Sequence, residues 1–203
     1  YGFSMTCIHL HPKWIEAADL HQVCRYRIRT GVTESRLIRP KAAKFISTLG
    51  MTEFSQAENW IHFKNPLDLT LSCRLFMEDY LDLSRFFEFS GTEITLPKTL
   101  SDIISRAEVF CPGSKKNKRI RVSIESGWIR VKGEGNFGKH TERSKLIYEG
   151  DPISFTVAPK MLSDLVKQHN ECEISEEKIK VSSGRYTYVG CLNMEPEKEE
   201  SEG

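Results

Sequence analysis

The sequence lacks any apolar run of the ~18–20 residues that a membrane-spanning helix needs. Its six cysteines are scattered singly, without a Cys-x-x-Cys pair. Because they lie mostly among apolar neighbours, we interpret them as buried thiols and expect a cytoplasmic protein. What remains is a chain of 203 residues, 39% of them hydrophobic, which has room for one large or two small globular domains.

The net charge is also close to zero, because the chain has 29 basic and 28 acidic residues. The balance hides an asymmetry. The tail "EPEKEESEG", residues 195–203, holds five glutamates and one lysine, a net charge of −4. Residues 1–194 therefore carry +5, the total of +1 less the charge of the tail. This surplus is compatible with basic residues gathered on one surface, and the tail, which has no apolar anchors, is predicted to be disordered.

Nucleotide-binding and hydrolase motifs are scarce as well. The sequence has no Gly-x-Ser-x-Gly or Walker A pattern, and its one Gly-x-Gly-x-x-Gly match is at 133–138. The stretch "GEGNFG" at 133–138 lacks the strand-then-helix context of a phosphate loop, so we predict a hairpin turn there.

One pattern occurs three times. The stretches "RLIRPKAAKFISTLG", "EITLPKTLSDIISRA" and "SFTVAPKMLSDLVKQ" begin at Arg36, Glu93 and Ser154. Each joins a short β-branched run to Pro-Lys and an amphipathic segment, with prolines at positions 40, 97 and 159. The pattern predicts a strand followed by a helix that proline opens, since proline's missing N–H costs nothing in the first turn.

Helical spacing gives each predicted helix one apolar face. The inward residues are Ala42, Phe45, Ile46 and Leu49 in the first copy; Leu100, Ile103, Ile104 and Ala107 in the second; and Met161, Leu162, Leu165 and Val166 in the third. Gly50 is placed to end the first helix in a left-handed conformation.

Strand-like stretches lie between these units. "KRIRVSIESGWIRVKGEG" and "EKIKVSSGRYTYVGCL" predict hairpins that turn at Ser126-Gly127 and near Ser183-Gly184. "NWIHFKN" and "LTLSCRLF" predict strands in the first half. Residues 93–194 thus contain two complete strand–helix–strands units, whereas residues 1–91 contain one recognisable helix. We therefore expect an α+β protein of pseudo-symmetric half-domains, and we expect this chain to be a fragment of a longer one.

Four stretches carry a family resemblance: "WIEAADLHQVCRY", "CRLFMEDYLDLSRFF", "IYEGDPISFTVAPKMLSDLVK" and the closing "YTYVGCLNM". In their order and spacing they resemble the bacterial and phage DNA sliding clamp, the β-subunit of DNA polymerase III. It implies the DNA-clamp fold, with residues 1–91 as the C-terminal part of the middle domain and 92–194 as the last domain. It also implies a non-enzymatic processivity factor without a cofactor, a homo-oligomeric (dimeric) ring that encircles duplex DNA without reading bases and tethers polymerase and clamp loader.

The resemblance assigns two surfaces. The DNA side would carry Lys41, Lys44, Lys98, Arg106, Lys160 and Lys167, and a channel rim would carry Lys115, Lys116, Lys118, Arg119 and Arg121. The hydrophobic peptide pocket between the two domains would be formed by Ala18, Leu20, Val23, Leu81, Arg85, Phe86, Val189 and Cys191. The family's usual Thr, Gly, Pro and Met are replaced here by Ala18, Leu20, Leu81 and Cys191, a divergence typical of phage proteins. Leu20 is expected to narrow the pocket.

Two alternatives stay open. His9 and His11 alternate along a predicted strand and precede Asp19 and His21, which suggests a metal-dependent hydrolase. The other alternative is a stand-alone interaction module of the same fold that does not encircle DNA. For each surface residue the simpler interpretation is a solvated helix face or a domain core. The acidic tail is interpreted as an inert extension, with modulation of the nearby pocket as the alternative.

Overall fold

A computed structural model describes residues 3–114 and 117–193 of the chain. These residues form two compact units, one of residues 3–88 and 182–188 and the other of residues 89–181 and 189–193. None of the helices within the described residues has the length and apolarity needed to cross a membrane. The domain boundaries inferred from the resemblance, 1–91 and 92–194, stay a prediction.

The first unit contains two antiparallel sheets. Its strands are β1 (Ile8–His11), β2 (Trp14–Ala18), β3 (Gln22–Arg27), β4 (Arg36–Ile38), β5 (Glu53–Gln56), β6 (Trp60–Lys64) and β7 (Thr70–Arg74). The sheet orders are β4-β1-β2-β3 and β5-β6-β7. The helices are a 3₁₀ turn (Phe3–Thr6), α1 (Pro40–Thr48) and α2 (Ser84–Phe87). The core gathers buried residues from both sheets, namely Leu10, Val32, Ile38, Ile61, Cys73 and Leu75.

Helix α1 begins and ends as the sequence predicts. Pro40 is its first residue, and Gly50 follows the C-cap with a φ of 60°. The Gly50 N–H donates to the Ser47 carbonyl at 3.4 Å, and the Met51 N–H donates to the Ile46 carbonyl at 3.2 Å. These two bonds form a Schellman motif, in which a left-handed residue satisfies carbonyls that the helix leaves unpaired.

The predicted inward face of α1 is wrong at Phe45, whose ring is 44% exposed. Ala42, Ala43 and Ile46 pack against the core instead. The reason is register. With the Pro-Lys pairs aligned, Phe45 corresponds to Asp102 of the second copy, which is solvent-exposed. Ile46 corresponds to the buried Ile103.

The second unit is built from two equivalent halves. Its strands are β8 (Thr92–Thr95), β9 (Ile120–Glu125), β10 (Trp128–Gly135), β11 (Gly138–Lys145), β12 (Ile153–Val157), β13 (Glu171–Ile174), β14 (Lys178–Ser183) and β15 (Tyr186–Cys191), the tip of the last hairpin belonging to the first unit. Its helices are α3 (Leu100–Glu108) and α4 (Pro159–Gln168).

The two halves exchange their first strands. Strand β8, which precedes α3, pairs with β13 of the other half, and β12, which precedes α4, pairs with β9. The resulting sheets have the orders β11-β10-β9-β12 and β15-β14-β13-β8. The repeat in the sequence therefore corresponds to an internal pseudo-symmetry, and the α+β expectation is confirmed.

Most local predictions hold in this unit. Two-residue hairpin turns occur at Ser126-Gly127, where φ is positive at both positions, and within "GEGNFG", where Gly135 pairs with Gly138. The predicted inward residues of α3 are buried, as are those of α4 apart from the half-buried Met161. One prediction is wrong: α3 begins at Leu100 and not at Pro97, because a turn closed by the Leu100 N–H on the Pro97 carbonyl at 2.9 Å precedes it.

Candidate functional site

Helices α3 and α4 pack side by side in the second unit. The Ser101 and Ser163 hydroxyl oxygens lie 3.0 Å apart, and both residues are buried. The faces of α3 and α4 that point away from the buried core of the second unit are exposed. They carry the predicted DNA-side residues Lys98, Arg106, Lys160 and Lys167, all of which are solvent-exposed.

Ion pairs divide these four cations into two kinds. The Arg106 guanidinium donates to both carboxylate oxygens of Glu142, at 2.8 and 2.7 Å. This bidentate contact raises the pKa of Arg106 and lowers the pKa of Glu142. Lys160 pairs with Asp164 one turn along α4. Lys98 and Lys167 make no ion pair with another described residue, so their full charge faces solvent.

In the first unit, Lys41 and Lys44 project from α1 and are exposed. Neither makes an ion pair with another described residue. Like Lys98 and Lys167, they are therefore exposed cations that a polyanion can contact.

The predicted rim cluster is only partly described. Lys118 donates to the carbonyl of Glu108 at 3.1 Å and therefore caps the C-terminal end of α3. Arg119 donates to the Lys118 carbonyl at 2.9 Å. Arg121 is exposed on β9, between the buried Ile120 and Val122. Lys115 and Lys116 lie outside the described residues.

The predicted pocket residues of the first unit come from a hairpin and a short helix. Ala18 and Val23 are opposite each other on β2 and β3. Leu20 sits at the tip of this hairpin, 52% exposed. Asp19 fixes the tip, because its Oδ1 accepts the N–H groups of His21 and Gln22 at 2.8 and 2.9 Å.

Around α2, two more apolar side chains are open to solvent. Leu81 is 51% exposed and Phe86 is 42% exposed, and Arg85 beside them is exposed as well. Asp82 accepts the Ser84 N–H at 2.9 Å, which starts the helix and lowers the pKa of the Asp82 carboxyl. Exposed apolar side chains on a fixed backbone are suited to binding apolar peptide side chains. Val189 is buried and Cys191 half-buried on β15.

A buried charge network lies beside the predicted pocket residues of the first unit, and sequence reasoning missed it. Arg25 donates to Glu16 through Nε at 2.8 Å and Nη2 at 2.7 Å, and Glu16 is only 2% exposed. The guanidinium also lies over the rings of Trp14, at 4.7 Å, and Phe87, at 4.3 Å. Because Phe87 is the last residue of α2, this contact holds the helix against strand β3, on which Arg25 lies. Counting outward from the Asp19 turn would have paired Glu16 with Arg25.

The same strand register relates this network to the pocket residues. Glu16 and Ala18 are two residues apart on β2, and Val23 and Arg25 are two apart on β3, so all four share one face of the sheet. The His9 and Tyr80 rings contact each other at a tilt of 32°, with centroids 4.5 Å apart, which holds the chain just before Leu81.

The histidines of the alternative hydrolase interpretation, His9 and His11, contribute to this packing. His9 Nδ1 lies 3.4 Å from Glu16, and His11 stacks on Trp14 at 3.5 Å. Burial, followed by the charge of His9, lowers the pKa of His11. In residues 3–114 and 117–193 no three His, Cys, Asp or Glu side chains are grouped as metal ligands. The hydrolase alternative therefore has no ligand set in this part of the chain.

The cysteines conform to the interpretation as thiols. None of the six forms a disulfide, and four of them are buried. Burial raises the pKa of Cys172 to about 12, which keeps that thiol protonated.

Comparisons with known proteins identify the fold. No family model matches the sequence, and no curated protein matches it. Among solved structures, the DnaN sliding clamp (DNA polymerase III subunit beta) of Bartonella birtlesii bound to griselimycin matches with a TM-score of 0.81 at 14% identity. The match covers 93% of this chain and 58% of that one.

Two other solved structures agree. A putative DNA polymerase III beta subunit from Eubacterium rectale gives a TM-score of 0.78 at 17% identity, and the Caulobacter crescentus pol III beta gives 0.79 at 14%. Each match covers 94% of this chain and 58% of the other. The chain thus spans less than two thirds of the clamps it matches. It has the fold of DNA sliding clamps, and the resemblance seen in the sequence is confirmed at the level of fold.

Proposed function

We propose that this chain is part of a DNA sliding clamp, a processivity factor for DNA replication without enzymatic activity. The observation that carries the proposal is the pair of equivalent helices α3 and α4, packed at Ser101 and Ser163, with basic side chains on their exposed faces. Lysine and arginine on such a face attract phosphates without reading bases. A ring built from such units holds DNA by topology, and its cations need only weak contacts.

We infer that this chain is part of a longer protein and that the longer protein forms the ring. We infer a homo-oligomer, a dimer, that closes around duplex DNA in the cytoplasm, and the divergent residues at the peptide site favour a phage origin. The division of cations supports weak contact: Arg106 and Lys160 are partly neutralised by Glu142 and Asp164, whereas Lys98 and Lys167 are not. A neutralised cation attracts phosphates less strongly, which suits sliding.

Partner binding is proposed at the exposed apolar residues of the first unit. Leu20, Leu81 and Phe86 offer apolar surface on a backbone that Asp19 and Arg25 hold in place. We infer that short peptides from polymerase and clamp loader bind here, with Val189 and Cys191 as further predicted contacts. Leu20, which replaces the family's glycine, is expected to alter which peptides fit.

A peptide titration tests this proposal on the chain as it stands. A fluorescent peptide of the Gln-Leu-x-Leu-Phe type is titrated into the native chain, Phe86→Ala and Phe54→Ala. Phe54 is a matched control, because it is 38% exposed and lies on β5. We expect micromolar binding that Phe86→Ala weakens at least about tenfold and Phe54→Ala leaves unchanged. Equal binding by all three would contradict the proposed site.

A further inference from the structure

The sheet β11-β10-β9-β12 has one face on α3 and one face in solvent. Alternate residues of β9 and β10, such as Val122 and Val131, are buried beneath the helix. The solvent face carries six basic side chains: Arg121, Arg130, Lys132, Lys139, Arg143 and Lys145. Its strands contribute two acidic side chains to the same face, Glu125 and Glu134.

The arrangement concentrates positive charge. Arg130 is directly opposite Arg143, and Lys132 is directly opposite Arg121. Like charges in directly opposed positions destabilise a sheet, so two such pairs in adjacent rows carry a cost that a ligand of opposite charge would relieve.

The two glutamates leave most of this charge uncompensated. Glu125 pairs with Arg130 at 3.4 Å, and Glu134 pairs with Lys132. Arg121, Lys139 and Lys145 make no ion pair with another described residue. Arg143 lies over the ring of Trp128 at 4.4 Å, a contact that leaves its charge in place.

The described chain ends beside this face. The Asn193 side chain accepts the N–H of Thr156 on β12 at 3.4 Å and donates to the Glu176 carbonyl at 2.7 Å. Thr156 is directly opposite Arg121 on β9, and Arg121 is opposite Lys132 on β10. Asn193, the last described residue, therefore lies at one edge of the sheet, in line with the row Thr156, Arg121, Lys132.

The segment after Asn193 has the complementary charge. Residues 195–203 contain five glutamates and one lysine. The ten residues after Asn193 reach at most ~33 Å when extended, whereas crossing four strands takes ~15 Å. The length of the tail, the position of Asn193 at the sheet edge and the negative charge of the tail are all compatible with docking on this face. We propose that the acidic tail docks on the basic face formed by Arg121, Arg130, Lys132, Lys139, Arg143 and Lys145 and shields it from other polyanions.

The proposal does not depend on DNA encirclement through the helices, which lie on the other side of this sheet. Arg121, predicted as a channel-rim residue, lies on the face that points away from them. It replaces the interpretation of the tail as an inert extension. The expected consequence is competition: an added polyanion must displace the tail before it can bind the face.

Zero-length cross-linking tests the contact in the native chain. A carbodiimide joins a glutamate carboxylate to a lysine amine only when the two touch. We expect tail cross-links within one molecule to Lys132, Lys139 and Lys145, lost at 0.5 M NaCl and absent when all five tail glutamates are replaced by glutamine. Equal yields to Lys98, Lys160 and Lys167 on the helices would overturn the proposal. Cross-links found only between isotopically mixed copies would overturn it as well.

Oligonucleotide binding tests the shielding. Neutralising the five tail glutamates should tighten binding of a 15-nucleotide oligothymidylate at 50 mM NaCl by at least about tenfold. Adding Arg121→Gln and Arg143→Gln to that variant should remove the gain, whereas adding Lys98→Gln and Lys167→Gln on the helices should preserve most of it. An affinity that does not respond to the tail charge, or a gain that only the helix substitutions remove, would overturn the proposal.

Discussion

The hydroxyl oxygens of Ser101 and Ser163 lie 3.0 Å apart, and 62 residues separate them in the chain. The same separation divides Pro97 from Pro159 in the repeat. Equivalent residues of two copies can touch each other only where a pseudo-twofold axis passes between them. The contact therefore locates the axis that relates the two halves of the second unit, and it explains why Leu-Ser-Asp occurs in both copies.

This contact should show strong coupling. Each serine is buried and each hydroxyl has the other as its partner, so Ser101→Ala or Ser163→Ala alone leaves a buried hydroxyl unpaired and should cost about 1–3 kcal/mol. Ser101→Ala with Ser163→Ala removes both groups and should cost less than the sum. Urea unfolding followed by circular dichroism measures the three values. Strict additivity would show that the two hydroxyls do not depend on each other.

Gly133 is expected to tolerate no side chain. A Cβ added there would lie 1.9 Å from the Ala107 carbonyl oxygen of α3, an overlap with rigid backbone. Gly133→Ala should therefore destabilise the chain by about 3 kcal/mol or more, because the helix must move off the sheet. Gly184→Ala is the control, since no atom lies within 4 Å of its added Cβ and only its φ of 56° opposes the change. That variant should lose about 1–2 kcal/mol. Equal thermal shifts would contradict the close approach of helix and strand.

Arg25 should be required for both stability and peptide binding. Arg25→Met leaves the Glu16 carboxylate buried without its partner, a change that typically costs about 3–5 kcal/mol. It also removes the cation that lies over Phe87, so α2 and Phe86 lose a support. Replacing Glu16 by Leu together with Arg25→Met should recover much of the stability without restoring peptide affinity. Urea unfolding and the peptide titration separate the two effects, and a double variant that binds normally would exclude a positioning role for Arg25.

The repeat made the fold predictable because each copy combines two independent local signals. Pro-Lys marks the first turn of α1 and α4 and lies just before α3, and the spacing of apolar residues marks the buried face, as at Leu100 and Ile104. The sequence did not reveal which residues distant in the chain contact each other. The exchange of β8 and β12 between halves, the Arg106–Glu142 pair and the Arg25–Phe87 contact join residues whose proximity follows from topology and not from local pattern.

The exposure of Phe45 leads to a prediction about the free energy of unfolding. The spacing of apolar residues predicted Phe45 on the buried face, whereas in the structure Ala43 and Ile46 pack against the core. Ile46→Ala should therefore cost about 2 kcal/mol or more, whereas Phe45→Ser, at an exposed position, should stay within about 0.5 kcal/mol. Thermal unfolding of the two variants measures this difference. A larger loss for Phe45→Ser would mean that the ring is covered in solution.

DNA affinity should depend on which cations are already paired. Lys98 and Lys167 make no ion pair with another described residue, so Lys98→Ala with Lys167→Ala should weaken low-salt binding to duplex DNA and reduce its salt dependence by about two charges. Glu142→Gln should have the opposite effect, because it releases the Arg106 guanidinium from a bidentate carboxylate and removes a negative charge from the same side of the sheet. Fluorescence anisotropy with a labelled duplex at several salt concentrations measures both. The control is Glu125→Gln, which removes a carboxylate from the opposite face of that sheet. If Glu125→Gln strengthened binding as much as Glu142→Gln, the helix face would not be the surface that meets DNA.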